Sequence, residues 1–193
     1  MATAATSRRA PDPVRETRAA QRDEFGGLNW GAAFFGWLVA VGVATLLTAI
    51  LSAAGAAIGL TSTSSSQATD SAETIGIVGG VLFLLVLLVA YFAGGYVAGR
   101  MSRFDGPRQG FGVWVIGLLV TVLLAVAGVL LGGEYNVLSQ LNLPRIPIDE
   151  GTLTTGGVIA LVAVVLGTLL AAVAGGKAGT RYHRKIDKVG GHA

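Results

Sequence analysis

The stretch that decides the fold is YFAGGYVAGRMSRFDGPRQGFGVWVIG, residues 91–117. Its apolar opening gives way to three arginines and one aspartate between Arg100 and Arg108, and apolar sequence then resumes. A short charged connection between two long apolar runs is typical of a hairpin that joins two membrane-spanning helices. The sequence Asp105-Gly106-Pro107 supplies the turn, since Gly permits a positive φ and Pro presets its own φ.

The composition of the whole chain indicates the same class. Of its 193 residues 52% are hydrophobic and only 13% are charged, against roughly 25% charged residues in a soluble domain. Four long runs lack any charged residue or histidine: 30–60, 75–99, 110–133 and 151–176. Each run exceeds the about 20 apolar residues that a helix needs to cross a hydrocarbon core, whereas strands of a soluble core are far shorter. We therefore predict an all-α integral membrane protein, a bundle of four transmembrane helices.

The predicted segments follow from the limits of these runs. Transmembrane helices are expected at 29–60, 75–99, 110–132 and 155–177. The connections between them are an outer loop at 61–74, a basic cytoplasmic hairpin at 100–109, and an outer loop with a short interfacial segment at 133–154. The flanking segments are a mobile cytoplasmic tail at 1–28 and a basic cytoplasmic tail at 178–193. A cleaved signal peptide is the alternative for the first run, which is about twice as long as the apolar part of such a signal.

Basic residues predict the orientation. Of the 14 lysines and arginines, 13 lie in the two tails and the hairpin, and only Arg145 lies on the opposite side. Basic residues stay cytoplasmic, so both termini and the hairpin are expected on the cytoplasmic side of the membrane. The membrane itself is expected to be the cytoplasmic membrane of a bacterium. Aromatic and basic residues near these ends are expected membrane-interface anchors, with an aromatic ligand box as the alternative. The expected anchors are Trp30, Trp37, Tyr96, Arg100, Arg103, Arg108, Trp114, Arg181, Arg184 and Lys185.

The C-terminal tail carries the densest charge. Five basic residues and one acid, Asp187, lie within residues 177–188, which gives a net charge of +4. Each basic residue near an anionic leaflet contributes about 1 kcal/mol of binding free energy. We expect the lipid bilayer to be a partner, with anionic headgroups bound at this tail. Nucleic acid is not an expected partner, because a cytoplasmic tail needs these charges for topology in any case.

Small residues recur at a spacing of four in the first and fourth spans, where they allow helix backbones to approach closely in lipid. Residues spaced by four drift by about 40° at each step, so the stripe favours a right-handed crossing. We predict that the first span packs against the fourth. The expected helix-packing residues are Gly36, Ala40, Ala44, Thr48, Ser52, Gly95, Gly99, Gly167, Ala171, Gly175 and Gly179.

The two halves of the chain share a motif. Residues 94–100, GGYVAGR, and residues 175–181, GGKAGTR, both read GG-x4-R at the inner end of an even-numbered span. Two spans in each half would enter the membrane in the same direction, so the motif predicts a parallel 2+2 repeat.

The segments AGGYVAGR (93–100) and GFGVWVIG (110–117), on either side of the short basic hairpin, resemble the YrzE-like group of small bacterial integral membrane proteins. The resemblance covers residues 30–180 and implies a Gly-rich bundle of four membrane helices.

The spans lack the groups that chemistry or ion coupling needs. Their interiors offer only hydroxyls, at Tyr91 and at Thr and Ser residues, and the chain has no cysteine. Transporters and intramembrane enzymes place ionisable side chains inside the bilayer, so we expect no enzyme, no cofactor and no metal site. The predicted function is a structural or interaction subunit that associates with itself or with another membrane protein. The alternative is a small facilitator or channel component for an uncharged solute or ion, which works as an oligomer.

Overall fold

The computed structural model describes residues 13–62, 72–102, 104–135 and 155–181. These residues form helices and contain no strand, which confirms the predicted all-α bundle. The helices are α1 (Pro13–Phe25), α2 (Trp30–Ser62), α3 (Ala72–Met101), α4 (Gly106–Tyr135) and α5 (Thr155–Gly179).

Helices α2 to α5 are long and apolar enough to cross a membrane. Their apolar spans contain 23 to 27 residues and have mean hydropathies of 2.2 to 2.7. The fold is therefore that of a multi-pass membrane protein with four membrane-spanning helices.

The predicted hairpin at 100–109 is shorter in the structure than in the sequence analysis. Helix α3 continues through Met101 and α4 begins at Gly106, so residues 102–105 alone make the connection. Asp105 precedes α4 with a φ of 54°, a conformation that Asp tolerates better than most residues, and its carbonyl accepts hydrogen bonds from the Arg108 and Gln109 amides. Pro107 lies in the first turn of α4, where a missing amide N–H costs nothing.

The N-terminal tail also differs from the prediction, because residues 13–25 of the expected mobile segment form helix α1. Pro13 opens the helix and Glu16 lies in its first turn, which favours helix initiation and complements the helix dipole. Helix α1 could not be found from apolar runs, because charged residues interrupt its short sequence.

Helices α3 and α4 are the central pair of the bundle. Each contacts α2 and each contacts α5, whereas at most a marginal contact joins α2 to α5. Consequently, α2 and α5 lie on opposite sides of the α3–α4 pair. The predicted packing of the first span against the fourth is wrong, because two other helices stand between them.

The core lies at one end of the bundle, where α2 and α4 begin and α3 and α5 end. We call this the hairpin end. The apolar core residues there are mostly small, and Gln109 and Val113 are the largest fully buried side chains among the described residues. The buried apolar residues are Ala32, Ala33, Ala40, Val86, Ala90, Ala98, Val113 and Ala172. Small side chains let the helix backbones approach closely, which is how helices associate in lipid.

We call the opposite parts of the four spans the far halves: 45–56, 77–85, 118–126 and 155–163. None of these residues is buried. The buried residues of the four spans thus lie outside the far halves.

Candidate functional site

The closest helix contact joins α3 to α5. A Cβ added at Gly95 would collide with the Ala172 carbonyl, and one added at Gly99 would collide with the Gly176 carbonyl. The same holds in the other direction, where Gly175 faces the Phe92 carbonyl and Gly179 faces the Tyr96 carbonyl. We call Gly95, Gly99, Gly175 and Gly179 the glycine seam. All four were predicted as helix-packing residues, and the structure brings them together in one interface.

The two GG-x4-R motifs thus pack against each other, but their matched positions meet different neighbours. Gly94 faces α2, where an added Cβ would lie 2.5 Å from the Gly36 carbonyl oxygen. The matched Gly175 faces α3 instead, and Gly176 faces the Gly106 carbonyl of α4. The parallel 2+2 repeat stays a prediction from the sequence.

The first-span stripe packs on α3 and α4 over only part of its length. A Cβ added at Gly36 would lie 2.6 Å from the Gly94 carbonyl oxygen and 2.8 Å from Val113 Cγ2. Ala40 is buried and Ala44 is half-buried, whereas Thr48 and Ser52 are exposed. The last two predicted packing residues of α2 therefore lack a partner within the described chain.

On α5, the two remaining predicted packing residues make looser contacts. A Cβ added at Gly167 would lie 3.1 Å from Leu88 Cδ2, and Ala171 is half-buried. Sequence spacing alone missed Gly106 and Gly110, which face Gly176 and Ala172 of α5. Their separation of four residues, at the start of an apolar run, was the available signal.

A polar cluster built around buried Gln109 closes the hairpin end. Gln109 is fully buried, and both ends of its amide are used: Nε2 donates to the Gly27 carbonyl at 2.7 Å, and Oε1 accepts from the Asn29 amide at 3.0 Å. The Asp105 carboxylate accepts from the Gly27 amide at 3.0 Å. We call Gly27, Asn29, Asp105 and Gln109 the polar clasp.

The polar clasp also organises the start of α2. Asn29 Oδ1 accepts from the Ala32 amide at 3.0 Å, which makes Asn29 the N-cap of the helix. Leu28 packs beside α4, where a Cβ added at Gly112 would lie 2.6 Å from Leu28 Cδ1. Gly27 has a φ of 106°, a conformation open to Gly. Gly27 and Leu28, predicted as part of the mobile tail, and Asn29, predicted as the start of the first span, are thus docked against α4.

The predicted interface anchors fall into three groups. Trp30, Tyr96, Arg108 and Arg181 are exposed, Arg100 is half-buried, and Arg103, Arg184 and Lys185 lie outside the described residues. Trp37 packs against the buried cluster of Ala33, Ala98 and Val113. Trp114 reaches inward, because its Nε1 donates to Thr168 Oγ1 of α5 at 3.2 Å. Membrane anchoring by these residues stays a prediction.

The polar groups buried in the described residues have structural partners. Thr168 Oγ1 donates to the Val164 carbonyl at 2.6 Å, Ser102 Oγ donates to the Phe104 carbonyl at 3.1 Å, and Thr180 Oγ1 donates to the Lys177 carbonyl at 3.2 Å. Over the same residues, no buried side-chain nitrogen or oxygen lacks a hydrogen-bond partner, and His, Cys, Asp and Glu form no group of three suited to a metal ion. These three bonds are local to one helix or turn and satisfy the hydroxyl groups where they are buried.

The fold defines the class as a multi-pass membrane protein with four apolar helices. No protein family, curated protein or solved structure matches the chain. The resemblance to the YrzE-like group therefore stays a prediction.

Proposed function

We propose that the protein is a structural or interaction subunit of the bacterial cytoplasmic membrane, a helix-packing bundle without catalytic chemistry. The observation that supports this proposal is the glycine seam. Glycines at Gly95, Gly99, Gly175 and Gly179 bring the backbones of α3 and α5 into direct contact. Close backbone contact is the main source of helix association in lipid, where the hydrophobic effect between helices is absent.

The packing at the hairpin end argues against a solute path through one chain. Gly106 and Gly110 of α4 meet α5, and Gly36 of α2 meets α3, so backbone atoms occupy the places where a path would run. Buried Gln109 closes the same end with two hydrogen bonds. A transport role would need a path between copies of the chain or a rearrangement of this end.

The proposed partners are the lipid bilayer and another membrane protein chain, either a second copy or a different protein. The exposed surface of the four spans is rich in large aliphatic side chains, such as Leu123, Leu124 and Leu130, which suits contact with lipid or with other membrane helices. Arg108 and Arg181 are exposed at the hairpin end. Their charge supports a cytoplasmic location of that end and of both termini, with anionic headgroups bound at the C-terminal tail.

The alternative is a small facilitator or channel component that works as an oligomer. The observation that favours it is the exposure of the far halves, where no described residue is buried and the helices leave space between them. The half-buried side chains of these segments, Leu47, Leu84 and Val120, are aliphatic, which suits an uncharged solute better than an ion.

Purification from the native membrane, followed by reconstitution into proteoliposomes, tests the two functions. We expect the chain to co-purify with itself or with a partner protein, and to carry no flux of glycerol or potassium above that of protein-free liposomes. A Gly99→Leu variant is the matched control, because it disrupts the glycine seam and should abolish co-purification. Flux that requires the intact seam would contradict the subunit proposal and favour the facilitator.

A further inference from the structure

We propose that the four far halves are arms that tilt about a fixed hairpin end, so that the spread of the bundle follows the thickness of the bilayer. This inference concerns the shape of the molecule and does not depend on the proposed function.

The first observation is that each arm contains a stretch exposed on every face. A helix completes a turn in 3.6 residues, so four or more consecutive exposed residues point in all directions around it. Such runs occur in all four arms: 49–56 in α2, 77–83 in α3, 121–126 in α4 and 158–163 in α5. A helix packed against a neighbour would bury one residue in each turn. The arms therefore stand apart from one another.

The second observation is the contrast between glycines at the two ends. At six glycines in or beside the far halves, an added Cβ meets no atom within 4 Å, whereas those of the glycine seam would collide with carbonyls. These open glycines are Gly42, Gly55, Gly79, Gly80, Gly128 and Gly156, and at the hairpin end Gly27, which lies outside the helices, is open as well.

The third observation is that the hairpin end is joined by two independent sets of contacts. The glycine seam fixes α3 to α5, and the polar clasp fixes the start of α2 to α4 through Gln109 and Asp105. The contacts of Gly36 with Gly94 and of Gly106 with Gly176 join these two pairs. All four helices are thus held at one end and separated at the other, which is the geometry of a pivot.

The space between the separated arms is suited to lipid chains and not to water. Half-buried residues mark the faces that look toward the other helices, and in the far halves these include Leu47, Leu84 and Val120. All are aliphatic, so acyl chains of the bilayer fill the open space. Separating apolar helices in lipid carries no hydrophobic penalty, because lipid chains replace the lost contacts. The arms are therefore free to change their spread at small cost.

The length of the spans determines how far the arms must tilt in a given bilayer. A span of 25 residues, such as that of α5, is about 37 Å long, whereas the hydrocarbon core is about 30 Å thick. A tilt of about 37° matches such a span to the core. Because the hairpin end is fixed, the tilt spreads the arms at the far end. A thinner bilayer requires more tilt and a wider spread.

Distances between spin labels in bilayers test the proposal, and the cysteine-free chain allows labels at chosen sites. The far pair is Ser52→Cys with Ala160→Cys, and the near pair is Phe35→Cys with Ala174→Cys. Both pairs join α2 to α5, and all four positions are exposed. Electron–electron double resonance is measured in phosphatidylcholine bilayers of short and of long acyl chains.

We expect the far-pair distance to be several ångströms longer in the short-chain bilayer, while the near-pair distance stays the same. A far-pair distance that does not change with bilayer thickness would overturn the proposal. So would a near pair that lengthens together with the far pair, because the hairpin end would then not be fixed.

A variant in the polar clasp tests the pivot itself. Gln109→Leu should broaden the near-pair distance distribution, because α2 is then no longer hydrogen-bonded to α4. The matched control is Thr45→Val, since the Thr45 hydroxyl bonds only the Val41 carbonyl of its own helix. If Gln109→Leu leaves the near pair as narrow as the control does, the clasp is not part of the pivot. Should that variant fail to fold, the measurement on the unaltered hairpin end still decides the proposal.

Discussion

Gln109 and Gly27 are 82 positions apart in the sequence, yet Gln109 Nε2 donates a hydrogen bond of 2.7 Å to the Gly27 carbonyl. The bond crosses from the third membrane-spanning helix to the segment before the first. It makes that segment part of the folded bundle, so removal of residues 1–28 would delete Gly27 and with it the hydrogen bonds to Asp105 and to Gln109 Nε2.

The first prediction concerns the strength of this clasp. Gln109→Leu leaves the Gly27 carbonyl and the Asn29 backbone amide, whose hydrogen bonds are part-buried, without their partner, at a cost toward the lower end of about 1–3 kcal/mol for each unpaired group. Unfolding by denaturing detergent should show this loss of stability. Arg108→Ala is the control, because Arg108 is 69% exposed and its ion pair with Asp105 spans 3.4 Å, so its loss should cost less than about 1 kcal/mol. Equal losses in the two variants would mean that the clasp contributes little.

The second prediction concerns orientation. Single cysteines at Ser65 and Asn142 should react with an impermeant reagent from outside the cell, because their loops carry few basic residues. At the hairpin end Ser102 and Thr180 are buried and would react poorly, whereas Met101 and Arg181 are exposed. Cysteines at Met101 and Arg181 should therefore react only after lysis. Labelling in the reverse pattern would contradict the orientation taken from the basic residues.

The third prediction concerns the hydrogen bond between Trp114 and Thr168. Trp114→Phe and Thr168→Val each remove this bond, and a double-mutant cycle isolates the energy that couples them. We expect a coupling of about 0.6 kcal/mol, the average for side-chain hydrogen bonds between membrane helices. Stability in mixed micelles is the measurement. Zero coupling would show that Trp114 acts only through its apolar ring.

Much of the fold could be predicted because the signals for it are local. Four uncharged runs longer than 20 residues specify four spans, and the charge of the hairpin between Arg100 and Arg108 separates two of them. The limits of the helices were less accessible. The uncharged run ends before Arg100, yet the helix α3 continues through Met101. It does so because a basic residue in the last turn stabilises the helix dipole.

The partner of each helix could not be predicted in the same way. The stripe through Gly36 and Ala40 correctly marks a packing face, but spacing along one helix does not identify the helix opposite. The choice of α3 depends on Gly94, whose carbonyl faces Gly36 across the interface. The polar clasp was equally hidden, because Asn29 and Gln109 are single polar residues far apart in the chain, and only the fold brings them together.

The fourth prediction concerns the basic C-terminal tail. Replacing Arg181, Arg184, Lys185 and Lys188 by Gln removes four charges that each contribute about 1 kcal/mol of attraction to an anionic leaflet. A fluorescent probe at the C-terminus should then leave the headgroup region of vesicles that contain phosphatidylserine. Vesicles of phosphatidylcholine alone are the control, and there the substitutions should have no effect. An unchanged probe depth in low salt would limit the role of these charges to topology.

The last prediction compares two glycines of membrane-spanning helices, one tightly packed and one without close neighbours. A Cβ at Gly99 would collide with the Gly176 carbonyl, whereas a Cβ at Gly55 would meet no atom within 4 Å. Gly99→Ala should therefore push α3 and α5 apart and lower the free energy of unfolding by about 1–3 kcal/mol, as overpacking does in other cores. Gly55→Ala should be neutral or stabilise the chain by up to about 1 kcal/mol, because Ala has the higher helix propensity. Detergent unfolding of the two variants side by side measures the difference. If both behave alike, the glycine seam is not the contact that holds α3 to α5, and if Gly55→Ala is the more damaging, the far half of α2 packs against something in the membrane.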